Sequence, residues 1–177
     1  MFSVSFTAGS CAVLIGWLLY RSLNCTIKKS FSIKHEALQL LMLVNLLVIY
    51  RMTFHPFEKL DGQVQPLLFD SAAAWPFWIN LTPFVNLLDY EAKREMLLNV
   101  IGNSTMFIPT GIMTPLIYKR KFPGTILTGF LLSLVIEIIQ LPFSTRCSDV
   151  DDLILNTLGC LVGYGIYALV KAICKKK

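Results

Sequence analysis

Within Ile136–Gly159, IEIIQLPFSTRCSDVDDLILNTLG, Glu137 and Gln140 sit in apolar sequence, Arg146 follows, then Asp149, Asp151 and Asp152, and then Asn156. A carboxylate inside so apolar a run is costly when ionised, so it must pair with a donor, take up a proton or face a polar lining. Glu137 with Asp152 could work as a desolvated general acid or base and its partner. Beside an arginine, the same acids could form a recognition site in which a guanidinium takes a phosphate or carboxylate, or they could simply pair with it. Residue types leave these chemistries open. Five cysteines (Cys11, Cys25, Cys147, Cys160, Cys174) and two histidines (His35, His55) show no CxxC and no ligand spacing. Neither a metal site, nor a disulfide framework, nor a cofactor is expected. No Ser-His pair and no HExxH stands behind the acid-base reading.

Spacing sorts these residues onto helix faces. Ser133, Glu137 and Gln140 follow i, i+4, i+7 and share one stripe. At about 100° per residue, Asp149, Asp152, Asn156, Gly159 and Gly163 fall within roughly an 80° arc, running from carboxylates through an amide to a flat glycine strip. The glycines suit close approach of another helix. Asp151 falls off that arc; with Ser148 it resembles a capping box, and a structural role is expected for it. Asn99 and Asn103 repeat the i, i+4 pattern beside Gly102, and farther along Pro109, Gly111 and Pro115 predict a bend rather than a site. Arg51, Arg94 and Arg146 add cations at the same level. The candidate ligand-binding set is therefore Arg51, Asn99, Asn103, Glu137, Gln140, Arg146, Asp149, Asp152 and Asn156, with Pro109, Gly111, Asp151, Gly159 and Gly163 as structural residues.

The elements that must position them are membrane spans. Of 177 residues, 55% are hydrophobic and 15% charged, and the mean hydropathy is +0.62, too apolar for an ordinary soluble domain. Apolar runs at about 2–20, 36–54, 96–118, 122–142 and 150–173 are each long enough to cross about 30 Å of hydrocarbon. The first has no basic segment ahead of it and no small-residue cleavage site behind it, so it is expected to stay as a helix. The expected fold is all-α, one polytopic bundle over residues 1–177 without internal repeats. Eleven basic residues, in the segment after the first span, in Lys119–Lys121 and in the tail from Lys171, mark one side as cytoplasmic. On the other side nine acids outnumber five bases, so the N-terminus is expected outside and the C-terminus inside. The net charge of +5 thus reports topology, and nucleic acid is not an expected partner. Residues 70–90, with Trp75, Phe77, Trp78 and Phe84 around Pro76 and Pro83, read as an interfacial segment over the outer end of the bundle or as a loop with aromatic anchors. Polar groups from three spans gather at that outer level only, whereas a conduction path needs them at several depths.

The runs NLTPF, REMLLNVIGNSTMFIPTGI, LSLVIEIIQ and SDVDDLILNTLGCLVGYGIY, covering residues 79–167, resemble the VanZ-like family of bacterial membrane proteins. Its pattern falls here on Pro83, Asn99, Phe107, Pro109, Gly111, Glu137, Gln140, Asp149, Asp152, Asn156, Gly159 and Gly163. The resemblance implies a multi-pass protein of a Gram-positive plasma membrane with a role in low-level resistance to lipoglycopeptides such as teicoplanin. It supplies a phenotype and no reaction. Three readings follow: a non-enzymatic envelope protein binding membrane lipid, a lipid-linked cell-wall precursor or the lipoglycopeptide; a small membrane enzyme acting on an isoprenoid- or glycerolipid-linked substrate through Glu137 and Asp152; and an oligomeric proton-linked transporter.

Overall fold

The computed structural model describes residues 2–27, 32–55, 59–60, 62–69, 79–84, 93–143 and 146–175. Helices α1 (Phe6–Ile27), α2 (Ile33–Phe54), α3 (Lys93–Tyr118), α4 (Phe122–Gln140) and α5 (Val150–Lys175) dominate them. All five are long and apolar enough to cross a membrane, and the protein is an all-α, multi-pass bundle. Successive helices alternate in direction. One end of the bundle gathers the C-terminus of α2, the start of α3 and the α4–α5 connection; the other gathers Arg21 and Lys119–Lys121. They are called the acidic and basic ends below.

All five helices depart from the expected bounds by a few residues, and two of the departures have a visible local cause. The first starts at Phe6 rather than at residue 2, because Ser5 caps it: its hydroxyl accepts the Ala8 N–H at 3.2 Å. Phe2–Val4 instead forms strand β1, and α1 continues to Ile27. The fourth span stops at Gln140 rather than 142, since Pro142 has no N–H to extend the ladder and the last turn tightens through a Leu141 N–H bond to Ile138 O. Short strands, which hydropathy did not announce, tie the acidic end together. A hairpin joins β2 (Lys59–Leu60) to β3 (Gln63–Val64), with Gly62 at φ +74° in its turn. β4 (Leu67–Phe69) pairs antiparallel with β1, stacking Phe69 on Phe2 at 4.4 Å between ring centres. β5 (Ile79–Asn80) runs parallel to β6 (Ser148–Asp149) at the entrance to α5. Of the expected interfacial segment, Trp75, Pro76, Phe77 and Trp78 lie outside the described residues, while Ile79–Phe84 lies over the start of α5.

Helix α5 packs most closely on α3. A Cβ at Gly111 would strike the Cys160 carbonyl, one at Gly159 the Ser104 carbonyl, and one at Gly163 the Ile108 carbonyl. Backbone touches backbone along this seam, as small residues permit where helix association rests on van der Waals packing. Pro109 and Pro115 both lie inside α3, which runs unbroken to Tyr118. The buried core of Ile49, Phe54, Leu67, Met106, Phe107, Ile136 and Cys160 links α2, α3, α4 and α5 to β4.

Candidate functional site

The last carbonyls of a helix lack intrahelical donors, and α2 ends against the bundle rather than in bulk water. Side chains supply the donors. Gln140 Nε2 bonds Thr53 O at 2.8 Å, Arg146 Nε bonds Phe54 O at 3.2 Å, and Arg51 Nη1 bonds His55 O at 2.8 Å. One nitrogen of Gln140 and one of Arg146 are thereby fixed by backbone. At the start of α5 the polarity is reversed: N–H groups need acceptors. Asp149 Oδ1 accepts the Asp151 N–H at 2.9 Å, and Glu137 Oε2 accepts the Asp149 N–H at 2.9 Å. Glu137 on α4 thus holds the residue that caps α5.

Deeper in, Asn156 Nδ2 donates to Ser133 Oγ at 2.9 Å, joining α5 to α4. Asn103 Nδ2 donates to Asn99 Oδ1 at 2.7 Å and to Asp152 Oδ1, joining α3 to α5. These groups surround a cavity of about 340 Å³ lined by Asn99, Asn103, Glu137, Gln140, Arg146, Asp152 and Asn156, together with Met52, Thr53 and Cys147. Three buried polar atoms in its wall find no hydrogen-bond partner among the described residues: Arg146 Nη2, Gln140 Oε1 and Asn156 Oδ1. Each buried polar group left so costs about 1–3 kcal/mol, more for a charged one. A larger cavity, about 570 Å³, lies at the basic end. Its most buried cation, Arg21, is paired with Glu36, and it holds one such orphan, Gln39 Oε1. Three orphans of both hydrogen-bonding senses single out the acidic-end cavity.

Burial pushes the Arg146 guanidinium pKa down, the Arg51 charge adds to that, and Asp152 pulls it back. A guanidinium keeps its proton regardless, so the cavity contains a fixed cation beside two carboxyl groups. The Cys147 thiol is pushed up by partial burial and by the nearby Asp149.

Seven of the nine expected ligand-binding residues line this cavity; Arg51 and Asp149 do not. Arg51 is drawn to the open carbonyl of His55 and lies over the Phe6 ring, 5.8 Å from its centre. Asp149 is the cap of α5 and also accepts from Asn80 Nδ2 at 3.1 Å. The expected Ser148–Asp151 capping box is therefore replaced: Asp149 caps, and Asp151 Oδ1 accepts the Phe84 N–H at 2.8 Å, pinning the chain that crosses above. The side chain of Arg94 lies outside the described residues. His55, which sequence considered only as a metal ligand, is fully buried between Tyr50 Oη at 2.8 Å and Gln65 O at 2.9 Å. Its signal is present only as an aromatic neighbourhood, since the rings of Phe6 and Tyr50 meet it edge-on from two helices and Phe54 stacks on Tyr50.

Residues 36–171, more than three quarters of the chain, match the VanZ/LLP1 family. The chain belongs to this family. Over 92 residues it is 37% identical to Protein VanZ of Enterococcus faecium, a match covering 51% of this chain and 53% of that protein. The chain thus spans about half the length of the curated relative it matches. No solved structure matches it. The VanZ/LLP1 match takes in α2 to α5 almost entire, so every residue lining the cavity falls inside it.

Proposed function

We propose that this VanZ-like protein resides in a bacterial plasma membrane with its acidic end outward, and that the cavity there binds a lipid-linked envelope component or a lipoglycopeptide. Binding lowers the productive action of drugs such as teicoplanin at the membrane. The observation that carries this reading is the presence in one cavity of a half-buried cation, Arg146, whose buried Nη2 has no partner among the described residues, and of orphaned acceptors on Gln140 and Asn156. A ligand bearing an anionic group and N–H or O–H donors satisfies both, and removes the penalty on each.

The test is expression in a teicoplanin-sensitive Gram-positive host. The wild-type chain is expected to raise the inhibitory concentration several-fold, on the order of 1 kcal/mol in apparent drug binding. Glu137→Gln and Asp152→Asn, present in the membrane at the same level, are expected to return it towards that of the host. Full protection by both variants defeats the proposal. A change in lipid or wall-polymer composition on expression, lost with Glu137→Gln, would instead identify a membrane enzyme using Glu137 and Asp152 as acid and base.

A further inference from the structure

We infer that the polar cavity opens sideways into a groove between α2 and α3 that seats one hydrocarbon chain, so that its ligand is an amphiphile of the surrounding leaflet. The headgroup combines an anionic phosphate with N–H or O–H donors. This inference rests on the binding reading above and names the ligand class.

The groove, about 660 Å³, is walled by Leu41, Val44 and Val48 of α2 and by Ile101, Thr105 and Pro109 of α3. Its one amide, Asn45, is spent on the helix contact: Nδ2 bonds Met106 O at 2.9 Å and Oδ1 accepts from Thr110 at 2.8 Å. Apart from the Thr105 hydroxyl, what remains is apolar. Met52, Gly102 and Met106 line both the groove and the polar cavity, so the two adjoin at these residues. Another apolar cavity, between α1, α2 and α4 and about 360 Å³, shares no lining residue with the polar one. Of the two apolar spaces, the α2–α3 groove therefore borders the polar cavity and the other does not.

Gly102 stands at the junction. A Cβ placed there would meet nothing within 4 Å, in contrast to Gly111, Gly159 and Gly163, whose missing side chains admit a neighbouring backbone. Glycine inside a helix is unfavourable relative to alanine, and no helix contact among the described residues offsets it here. An open passage between cavity and groove gives the missing side chain a use. Along α3 the groove runs from Ile101 to Met113, about 18 Å at 1.5 Å per residue, or roughly one leaflet of a 30 Å hydrocarbon core. A chain lying in it leaves its headgroup level with Arg146 and Asp152. The guanidinium suits phosphate, while the carboxyl group of Asp152 and the free oxygens of Gln140 and Asn156 suit an ammonium or hydroxyls.

The test uses the full chain in phosphatidylcholine nanodiscs with a phosphatidylethanolamine carrying a photoreactive group on its acyl chain. A phosphatidylcholine probe with the same chain, which has no N–H donor, is the control. Labelling is expected to concentrate on residues 41–52 and 101–113 and to exceed that of the control by about fivefold. Gly102→Leu should cut it by about tenfold. Val48→Trp, at a lipid-exposed position on the opposite wall, should do the same without touching α3. Labelling spread evenly over the lipid-facing helices, equal for the two probes, or unchanged in both variants overturns the inference. Binding of soluble phosphoethanolamine separates the two levels. If it binds and is lost with Arg146→Gln while the groove fails these criteria, the cavity reading stands and the groove falls; if it does not bind and the groove fails too, both fall.

Discussion

Two buried side chains show how local satisfaction shapes the acidic end. Asn156 is 1% exposed and spends its nitrogen on Ser133 while its oxygen has no partner among the described residues. Asn156→Ala is expected to destabilise the bundle by about 1–3 kcal/mol, because Ser133 is left buried and unpaired. Asn156→Asp keeps the acceptors but loses the donor to Ser133 and adds a charge to be buried, so it should be at least as damaging; thermal denaturation in detergent checks both. His55 lies just beyond α2, and burial pushes its pKa below the ordinary value, with the charges of Arg51 and Arg146 acting the same way against its backbone bond to Gln65. A depressed folded-state pKa means the neutral ring is favoured in the native state, so the stability it confers is present above about pH 6.5 and is lost as pH falls through the folded value. Thermal stability should therefore drop between pH 7 and 5, and His55→Gln should flatten that drop. An unchanged slope in the variant would assign the acid sensitivity elsewhere. Sequence periodicity found Asn156 because its helix face is regular, and it passed over His55 because the ring's partners, Tyr50 and Gln65, lie on either side of the end of α2, where no helical or strand period applies.

At the scale of elements, what was legible is what repeats. The order and approximate extent of five helices follow from apolar length alone, and the stripe from Asp152 to Gly163 follows from a 3.6-residue period. The strands do not repeat; each is two or three residues long and exists through its partner, so β1 was absorbed into the first span and β6 into a polar gap. The same limitation misassigned the cap of α5, since Ser148 belongs to β6 and Asp149 is the residue at the helix boundary. Seam and junction glycines are expected to respond oppositely to one methyl group. Gly159→Ala drives a Cβ into the Ser104 carbonyl and must separate α3 from α5, a cost of about 1–3 kcal/mol. Gly102→Ala, with open space around it and a better helix former in place, should hold or gain up to about 1 kcal/mol. Comparing the denaturation temperatures of the two variants in one detergent measures the contrast; equal losses would mean that Gly102 is also pressed against a neighbour.

For the whole molecule, the expectation that the acidic end faces outward rests on the distribution of lysine and arginine, and the binding proposal depends on that direction. Two exposed cysteines report on it: Cys147 beside the cavity at the acidic end, and Cys174 in the last turn of α5 at the basic end. In single-cysteine variants, a membrane-impermeant maleimide added to intact cells is expected to modify Cys147, and Cys174 only after permeabilisation. The Cys147 thiol is held up by partial burial, then by Asp149 and more weakly by Glu137 and Asp152, so the reactive thiolate is scarce at neutral pH. Its labelling should be slow at pH 7 and accelerate markedly towards pH 9, and a ligand seated in the cavity should slow it further. The reverse pattern, Cys174 reactive in intact cells and Cys147 protected, would place the cavity on the cytoplasmic face. An extracellular drug or outer-leaflet lipid could not then reach Arg146, and the ligand would have to be sought among amphiphiles of the inner leaflet.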